Sequence, residues 1–465
     1  MKRTIRTLLT AVLTYVQRIV KNYTDRVAAA GGVVGATSCV SSALTVLDRQ
    51  TLLTSATFVL IPSGYKSGTV YAQIPNNGNG DLTFTRGSAA TRTNESGVIE
   101  SVASGVQRLD YSLDGCPVAL YEPQRRNNFL QSGWANGSLN TAPTLWTRNQ
   151  SGGTIQPVSS IYGSLDGANA YSFSVTNNRD FLSQSVTTVA NRIYAISVYV
   201  ESVTGNVAIQ DVIRRTTILT GEVLSYLVNN VSAAGSTNAV AGTRITLLYY
   251  NTVGGSVTIG IGLGISGSVT AAITLSRPQH EDNGASGSAN YSTSYIPTSG
   301  ATVTRLADAF TRSNIYTNGL ISASGGTWFV ELKNNVVYTR GGNAGLGINL
   351  DVPAGFTNGI SIRNSLGTGR LTVQKIILGT AISLFNTDSP NIKLAIKWDG
   401  AYISIFQNGL VCNLLNNIGT DLTKSTFSIV DMGSLLTGFG VPYNIQQMAL
   451  WNLPLSDAQC ISLTS

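Results

Sequence analysis

The stretch NRIYAISVYVES, residues 191–202, decides the fold class. β-Branched and aromatic residues dominate it, and Gly, Asn and Ser turns set it off from a series of similar segments. Upstream stands AYSFSVT (170–176), and downstream follow GNVAIQDVI (205–213), TRITLLYYNT (243–252), SVTIGIGLGI (256–265) and SVTAAITLSRPQHE (268–281). Together they predict a β-sandwich over residues 129–300. A second series predicts another over residues 301–465: GGTWFVELKN, NAGLGINLDV, GISIRNS, RLTVQKIIL, NIKLAIKWDGAYISIFQNGLVC and NIQQMALWNLPLSDAQCISLTS. Residues 56–128 alternate with strand period, are punctuated by Pro62, Gly64 and Gly68, and read as a module of short strands. The expectation is a mainly β chain.

Composition agrees. The chain has 465 residues, 43% of them hydrophobic, which is enough to build cores. Charged residues make up only 11%, against roughly 25% in ordinary domains. A chain so poor in charge must wet its surface with hydroxyls and amides, a habit that suits outward strand positions and Gly/Asn turns. Long helical bundles are excluded. The cysteines (Cys39, Cys116, Cys412, Cys460) lie far apart with no C-x-x-C pair, so they read as buried small hydrophobes. His280 is the single histidine, so metal sites that need two are excluded, and it is the one possible base for a Ser-His-Asp triad.

Charge collects at the N-terminus. Residues 1–30 hold Lys2, Arg3, Arg6, Arg18, Lys21 and Arg26 against Asp25, a local +5 of the formal net +7. No basic stripe with interleaved aromatics follows, which argues against nucleic acid. Residues 4–30 read as one amphipathic helix stopped by Gly31-Gly32, with Leu9, Val12, Val16, Ile19 and Tyr23 as its stripe and Leu13 and Val20 widening it. Such a helix packs on its own protein, on copies of itself, or into a larger assembly. The apolar run is broken by Thr10 and Thr14 and is too short to span a membrane, so no insertion is expected. Residues 31–55 form a connector.

Within residues 81–130 the motif DLTFTRGSAATRTNESGVIE is followed by RLDY, then GCP, then EPQRRN. This succession resembles a module of tailed-phage structural and fibre proteins. Asp81, Phe84, Arg86, Ser88, Ala90, Thr91, Arg92, Asn94, Gly97 and Glu100 carry its first part. Arg108, Asp110 and Tyr111 carry the second, and Gly115, Cys116, Pro117, Glu122, Pro123, Gln124, Arg125 and Asn127 the third. Gln107 stands where the pattern has Pro, and Arg126 where it has Thr. AYSFSV and RIYAISVYVES resemble strands of carbohydrate-binding-module jelly rolls, and the segment from RPQHEDN to TRLAD resembles the closing signature of such modules in phage proteins. His280 takes an aliphatic position of that signature, which predicts a core imidazole. Residues 301–465 resemble laminin-G/concanavalin-like domains, with paired central strands over Lys393–Cys412, a hairpin at Asp399-Gly400 and a closing strand before an L-S-D-A helical turn.

Chemistry is scarce. Arg86, Arg92, Arg108 and Arg125 interleave with Asp81, Glu100, Asp110 and Glu122, an arrangement that pins turns and strand ends by bidentate pairing. A retaining glycosidase needs two carboxyl groups about 5–5.5 Å apart, yet no E-x-D-x-E-type run exists and Glu331 is the one glutamate after residue 300. GIGLGISG (260–267) lies inside a strand pattern and lacks the following helix that a phosphate loop requires. No catalytic, cofactor or metal residues are therefore assigned. Sugar contact by aromatic faces leaves Trp134, Trp146, Tyr162, Trp328 and Trp451 as possibilities by type alone, most of them destined for cores.

The reading is a non-enzymatic virion protein: a head or tail fibre located in the virion and anchored by its N-terminal helix to other virion proteins. It is expected to be a homo-oligomer, a trimer by family analogy, with the helix stripe as its anchoring surface. The sandwiches would be presented to a host-surface glycan, without cofactor or nucleic acid. A decoration protein without receptor activity and a glycan-degrading tailspike are the alternatives.

Overall fold

The computed structural model describes residues 17–18, 21–34, 52–112, 115–149, 153–165, 170–176, 179–215, 222–264, 270–285, 291–322, 325–333, 345–349, 358–364, 371–377, 380–387, 389, 391–399, 403–412, 435–439 and 443–465. Two stacked-sheet units make up this part of the chain, so the mainly β expectation holds.

The middle unit is built on the stretch that opened the reading. Strand Arg192–Thr204 lies between Thr243–Asn251 and Thr270–Ala285 in a nine-stranded antiparallel sheet. A four-stranded sheet, Thr147–Asn149, Asp180–Thr188, Gly255–Leu263 and Ile213–Arg215, covers it. Trp134, Trp146, Tyr171, Phe173, Ile196, Val198, Leu247 and Ile259 fill the space between. The glycine run at 260–263 is strand, as expected, and the glycines have a packing role. A Cβ on Gly260 would stand 2.7 Å from the Phe181 ring, and one on Gly262 2.6 Å from the Asp180 carbonyl.

The other unit corrects the predicted domain order. Its larger sheet contains Gly64–Lys66, Thr69–Val70 and Leu82–Thr85 beside Ala309–Arg312, Leu435–Phe439, Gly345–Asn349 and the strands up to Thr387. Its second sheet runs from Leu410–Cys412 through Ile392–Trp398, Gly326–Leu332 and Tyr443–Trp451 to Val118–Tyr121 and Arg108–Asp110. Phe84 lies opposite Phe310, and Phe58–Leu60 pairs with Met448–Leu450. The segments 56–128 and 301–465 are thus not separate domains but two parts of one sandwich around one core, where Phe58, Phe84 and Tyr121 meet Trp328, Trp398 and Leu450. Local strand signals name segments; they do not say which distant segment completes a sheet. Residues 129–300 are an insertion whose ends are tied together, since Arg125–Asn127 pairs with Val303–Arg305.

Strands Ile392–Trp398 and Ile403–Gln407 pair as expected, with Trp398 opposite Ile403; residues 400–402 of the hairpin lie outside the described ones. The L-S-D-A turn opens helix Asp457–Thr464, where Ser456 and Gln459 close a capping box.

Of the N-terminal helix, residues 17–18 and 21–29 are described; Leu9, Val12, Leu13, Val16, Ile19 and Val20 lie outside the described residues. Gly31 (φ 68°) and Gly32 end it in a Schellman motif, the Gly32 N–H bonding Val27 O at 2.8 Å and the Gly31 N–H bonding Ala28 O at 2.9 Å. Tyr23 and Val27 are buried against Tyr71 of the same chain. Arg26 clasps Asp81 with both Nη1 contacts, 2.9 and 2.7 Å, and Asp81 also accepts the Ala72 N–H at 2.9 Å, so that motif carboxylate fastens the helix end as well as its own loop. For Tyr23, the packing is intramolecular.

Cys116, Cys412 and Cys460 carry no disulfide, and Cys39 is outside the described residues. No helix among the described residues is long and apolar enough to cross a membrane.

A fragment of residues 301–465 alone would expose the sheet edges that Leu82–Thr85 and Val118–Tyr121 cover. Such a fragment is expected to remain unfolded by far-UV circular dichroism, whereas residues 56–465 fold; a cooperatively folded 301–465 fragment would contradict the shared sandwich.

Candidate functional site

Arg86, Arg108 and Glu122 converge below the junction of the two units. Arg108 bonds Glu122 Oε2 through Nη1 at 2.7 Å and Asp308 through Nη2. Arg86 Nη1 donates to Asp308 Oδ1 at 2.9 Å, and Arg305 Nη1 reaches Glu122 Oε2 at 2.8 Å. Every member of this network is buried. Burial alone would push the Glu122 carboxyl up, but Arg305, Arg108 and the Ser294 hydrogen bonds bring it down to about 2. Desolvation lowers Arg305 and Arg86, whereas Arg108, also opposed by desolvation, is raised by Asp308 and Glu122. The expected pairing of motif arginines with motif carboxylates holds at Arg92–Glu100 (2.7 Å) and Arg108–Glu122. It gives way at Arg86, whose partner Asp308 is 222 residues away, and at Arg125, which lies over the Tyr291 ring at 5.4 Å.

Above the network lies a cleft of about 540 Å³, within the roughly 300–1,000 Å³ of small-ligand sites and at the kind of junction where they occur. The first unit contributes Thr91, Arg92, Thr93, Asp110 and Tyr111; the insertion contributes Tyr162, Tyr199, Asn229, Asn230 and Arg244. The segment Tyr291–Tyr295 joins the two walls, and Glu122 belongs to both the network and the lining.

Local structure explains why these side chains are held in place. A register shift between Ser197 and Tyr199 against Thr270–Ala285 marks a bulge, and Arg277 there adopts φ 53°. The re-aimed Arg277 guanidinium lies over Tyr162 at 5.5 Å and bonds Gly163 O at 2.7 Å. Glu201 takes the Ile161 N–H at 2.9 Å and the Ser160 hydroxyl at 2.5 Å. The loop carrying Tyr162 is therefore clamped at both ends. Tyr162 meets Tyr199 with centroids 5.1 Å apart and planes at 58°, forming an aromatic corner, and Arg244 backs Tyr199 at 5.1 Å. Desolvation is the largest of the effects that hold the Tyr162 phenol up at about 12, so it stays O–H at neutral pH. Asn229 (φ 50°) and Asn230 (φ 64°) make the two-residue turn between Glu222–Val228 and Val231–Ala233, both positions needing a left-handed backbone. Asn230 pins that hairpin to Ser292 O at 3.1 Å.

The cleft's carboxylates are occupied. Asp110 accepts the Thr93 N–H at 2.8 Å and the Ser112 N–H at 2.9 Å, and Glu122 is held by two arginines and by Ser294. Neither is left as a nucleophile facing a general acid. No group of three or more His, Cys, Asp or Glu placed to hold a metal occurs among the described residues. Of the aromatics singled out by type, Trp134, Trp146, Trp328 and Trp451 are core and only Tyr162 reaches the cleft. Tyr199, Asn229 and Arg244 escaped the sequence reading because nothing local distinguishes them from other strand and turn residues.

His280 lies outside the cleft lining, wholly buried and stacked on Tyr194 at 5.0 Å and 11°. The Asn128 amide at 3.1 Å makes Nδ1 the acceptor, leaving Nε2–H to donate to the Tyr249 oxygen at 2.8 Å. It is the core imidazole expected from the sequence.

No family model and no curated protein matches the sequence. Among solved structures, the chain is similar to Trypanosoma rangeli sialidase at 10% identity and a TM-score of 0.24, over 83% of this chain and 77% of that one. The sialic acid complex of that sialidase aligns at 11% identity and a TM-score of 0.23 with the same coverage. Its complex with the inhibitor DANA aligns at 8% identity and a TM-score of 0.24, over 88% of this chain and 62% of that one. Likeness of this degree says nothing about activity.

Two outcomes follow. Arg108→Met leaves Glu122 and Asp308 short of a buried partner and is expected to cost about 3–5 kcal/mol in denaturant unfolding, while an exposed-pair variant such as Lys21→Ala stays near wild type. Burial lowers the His280 pKa to about 3 in the folded chain, so the unfolded chain takes up the proton first as pH falls below about 6.5. That contribution is fully present above pH 6.5 and declines by up to about 1.4 kcal/mol per pH unit toward pH 3. His280→Gln should flatten the acid limb by that amount; an unchanged slope counts against a buried neutral imidazole.

Proposed function

We propose that this chain is a non-enzymatic structural protein of a tailed-phage virion, a head or tail fibre that is anchored through its N-terminal part and attaches to a host surface through the cleft between its two sandwiches. The observation that carries the reading is the buried network. Arg86, Arg108 and Glu122 of the phage-like module meet Arg305 and Asp308 of the closing signature in a single cluster. The two stretches of resemblance thus share one physical reason, the joint between inserted and host sandwich, and that reason is structural. The occupied carboxylates of the cleft favour binding over hydrolysis, because a general acid must be protonated near neutral pH and Glu122 is held down at about 2 by its arginines.

Anchoring is separable from folding. Removing residues 1–20 spares Tyr23, Arg26 and Val27, which fasten the helix end to Asp81 and Tyr71. The truncated chain is expected to keep the melting temperature of the full chain and to fail to join particles. Incorporation at full occupancy would place the anchor elsewhere. The purified protein is expected to bind host cells and to release no reducing sugar from their polysaccharide. Sugar release that disappears on changing a single Asp or Glu would overturn the structural reading.

A further inference from the structure

The cleft has walls of a definite chemistry. Its charged side chains are two of each sign. Glu122 and Asp110 are held as described, Arg92 lies against Glu100 at 2.7 Å, and Arg244 bonds Thr293 O and Ser197 Oγ, the latter at 2.7 Å. The lining therefore carries no net charge that would select a charged ligand. What remains are uncharged groups able to give and take hydrogen bonds. Among the described residues the hydroxyls of Tyr162 and Tyr199 have no hydrogen-bond partner, and both rings are half-buried. The exposed Asn229 uses Oδ1 to accept the Arg244 N–H at 2.8 Å and keeps its Nδ2 donors. Arg244 is 8% exposed, and its Nε has no acceptor among the described residues.

Two rings at 58° present flat apolar faces beside these donors and acceptors. A ligand that fits must have apolar faces edged by hydroxyls that both donate and accept, and must be uncharged. We propose that the cleft binds a short uncharged oligosaccharide, with sugar faces against Tyr162 and Tyr199 and ring hydroxyls toward Asn229 and the Arg244 wall. The assignment rests on the cleft being the attachment site, and it names the chemistry of what attaches. Pre-organisation supports it, since the Tyr162 loop is already held by Glu201 and Arg277 and little ordering remains for a ligand to pay in entropy.

The test uses the full-length protein. Titration calorimetry and saturation-transfer NMR are run with neutral probes (glucan, mannan, galactan and N-acetylglucosamine trimers) and with acidic probes (a galacturonate trimer and sialyllactose). At least one neutral probe is expected to bind. Its affinity should fall about 10-fold or more, or roughly 1.4 kcal/mol, in Tyr199→Ala and in Tyr162→Ala. Tyr199→Phe, which keeps the ring, should lose only part of that affinity, and Asn229→Gly, which keeps the left-handed turn, several-fold. Melting temperatures report that each variant is folded; should either alanine variant unfold, Tyr199→Phe and Asn229→Gly, both of which spare the core, carry the test. Binding of acidic probes alone, binding unaltered in these variants, or no binding by any neutral probe overturns the proposal. Host-cell attachment by the same variants separates the two readings. If attachment falls with Tyr199→Ala while no neutral probe binds, the saccharide assignment fails and the attachment site stands; if attachment is unchanged, the attachment site itself fails.

Discussion

Asp308 sits between Arg86 and Arg108, and Glu122 between Arg108 and Arg305, all of them buried. The rest of the molecule is arranged around this cluster. An isolated charge in such a place costs several kcal/mol, so each member is tolerable only while its partners are present. Those partners come from strand Leu82–Thr85 and its exit, from Arg108–Asp110, from the end of Val118–Tyr121 and from the segment after the insertion. The network therefore requires the two halves of the outer sandwich and the stem of the inserted one to be in place together. Buried ion clusters are poor sources of net stability but strong penalties against misassembly, and a chain whose sandwich is interrupted by about 170 residues needs such a penalty.

The same constraint shapes the cleft. Glu122 is fixed from below by arginines and from above by Ser294, and Ser294 lies in the segment that joins the walls. Thr293 in turn donates its N–H to buried Glu281 of the insertion at 2.9 Å. The walls are thus set by groups that cannot move without exposing a charge. On one side the aromatic corner is held by a second buried pair, Arg277 with Glu201 at 3.6 Å. In this protein the charged residues are few, and those that are buried do positional work, while the surface is left to hydroxyls and amides.

How far the chain could be read without coordinates varied with the range of the interaction. Strand Arg192–Thr204, the capping box at Ser456 and the helix stop at Gly31-Gly32 were legible, because each depends on neighbours a few residues away. The burial of His280 was legible from the aliphatic position it takes. The partition into a module at 56–128 and a sandwich at 301–465 was not, because pairing of Phe84 with Phe310 leaves no trace in either segment alone. The aromatics picked by residue type were mostly core, and the tyrosine and asparagine that face the cleft with Tyr162 had no local mark.

The sequence by itself determined the class of structure: a charge-poor, glycine-turned, hydroxyl-rich chain of alternating segments must form sheets and must bury what little charge it places inside against an opposite partner. It also marked Arg92 and Glu100, and Arg108 and Glu122, as structural, since arginines and carboxylates alternate through residues 81–125. Only the tertiary structure decided that the first and last segments share one core, that Arg86 answers to Asp308 rather than to a neighbour, and that Tyr162, Tyr199 and Asn229 face one cleft. The reason is physical. Alternation and turn chemistry are short-range and are written in adjacent residues, whereas sheet completion and charge pairing are long-range and are settled by which distant segments can bury their apolar faces together.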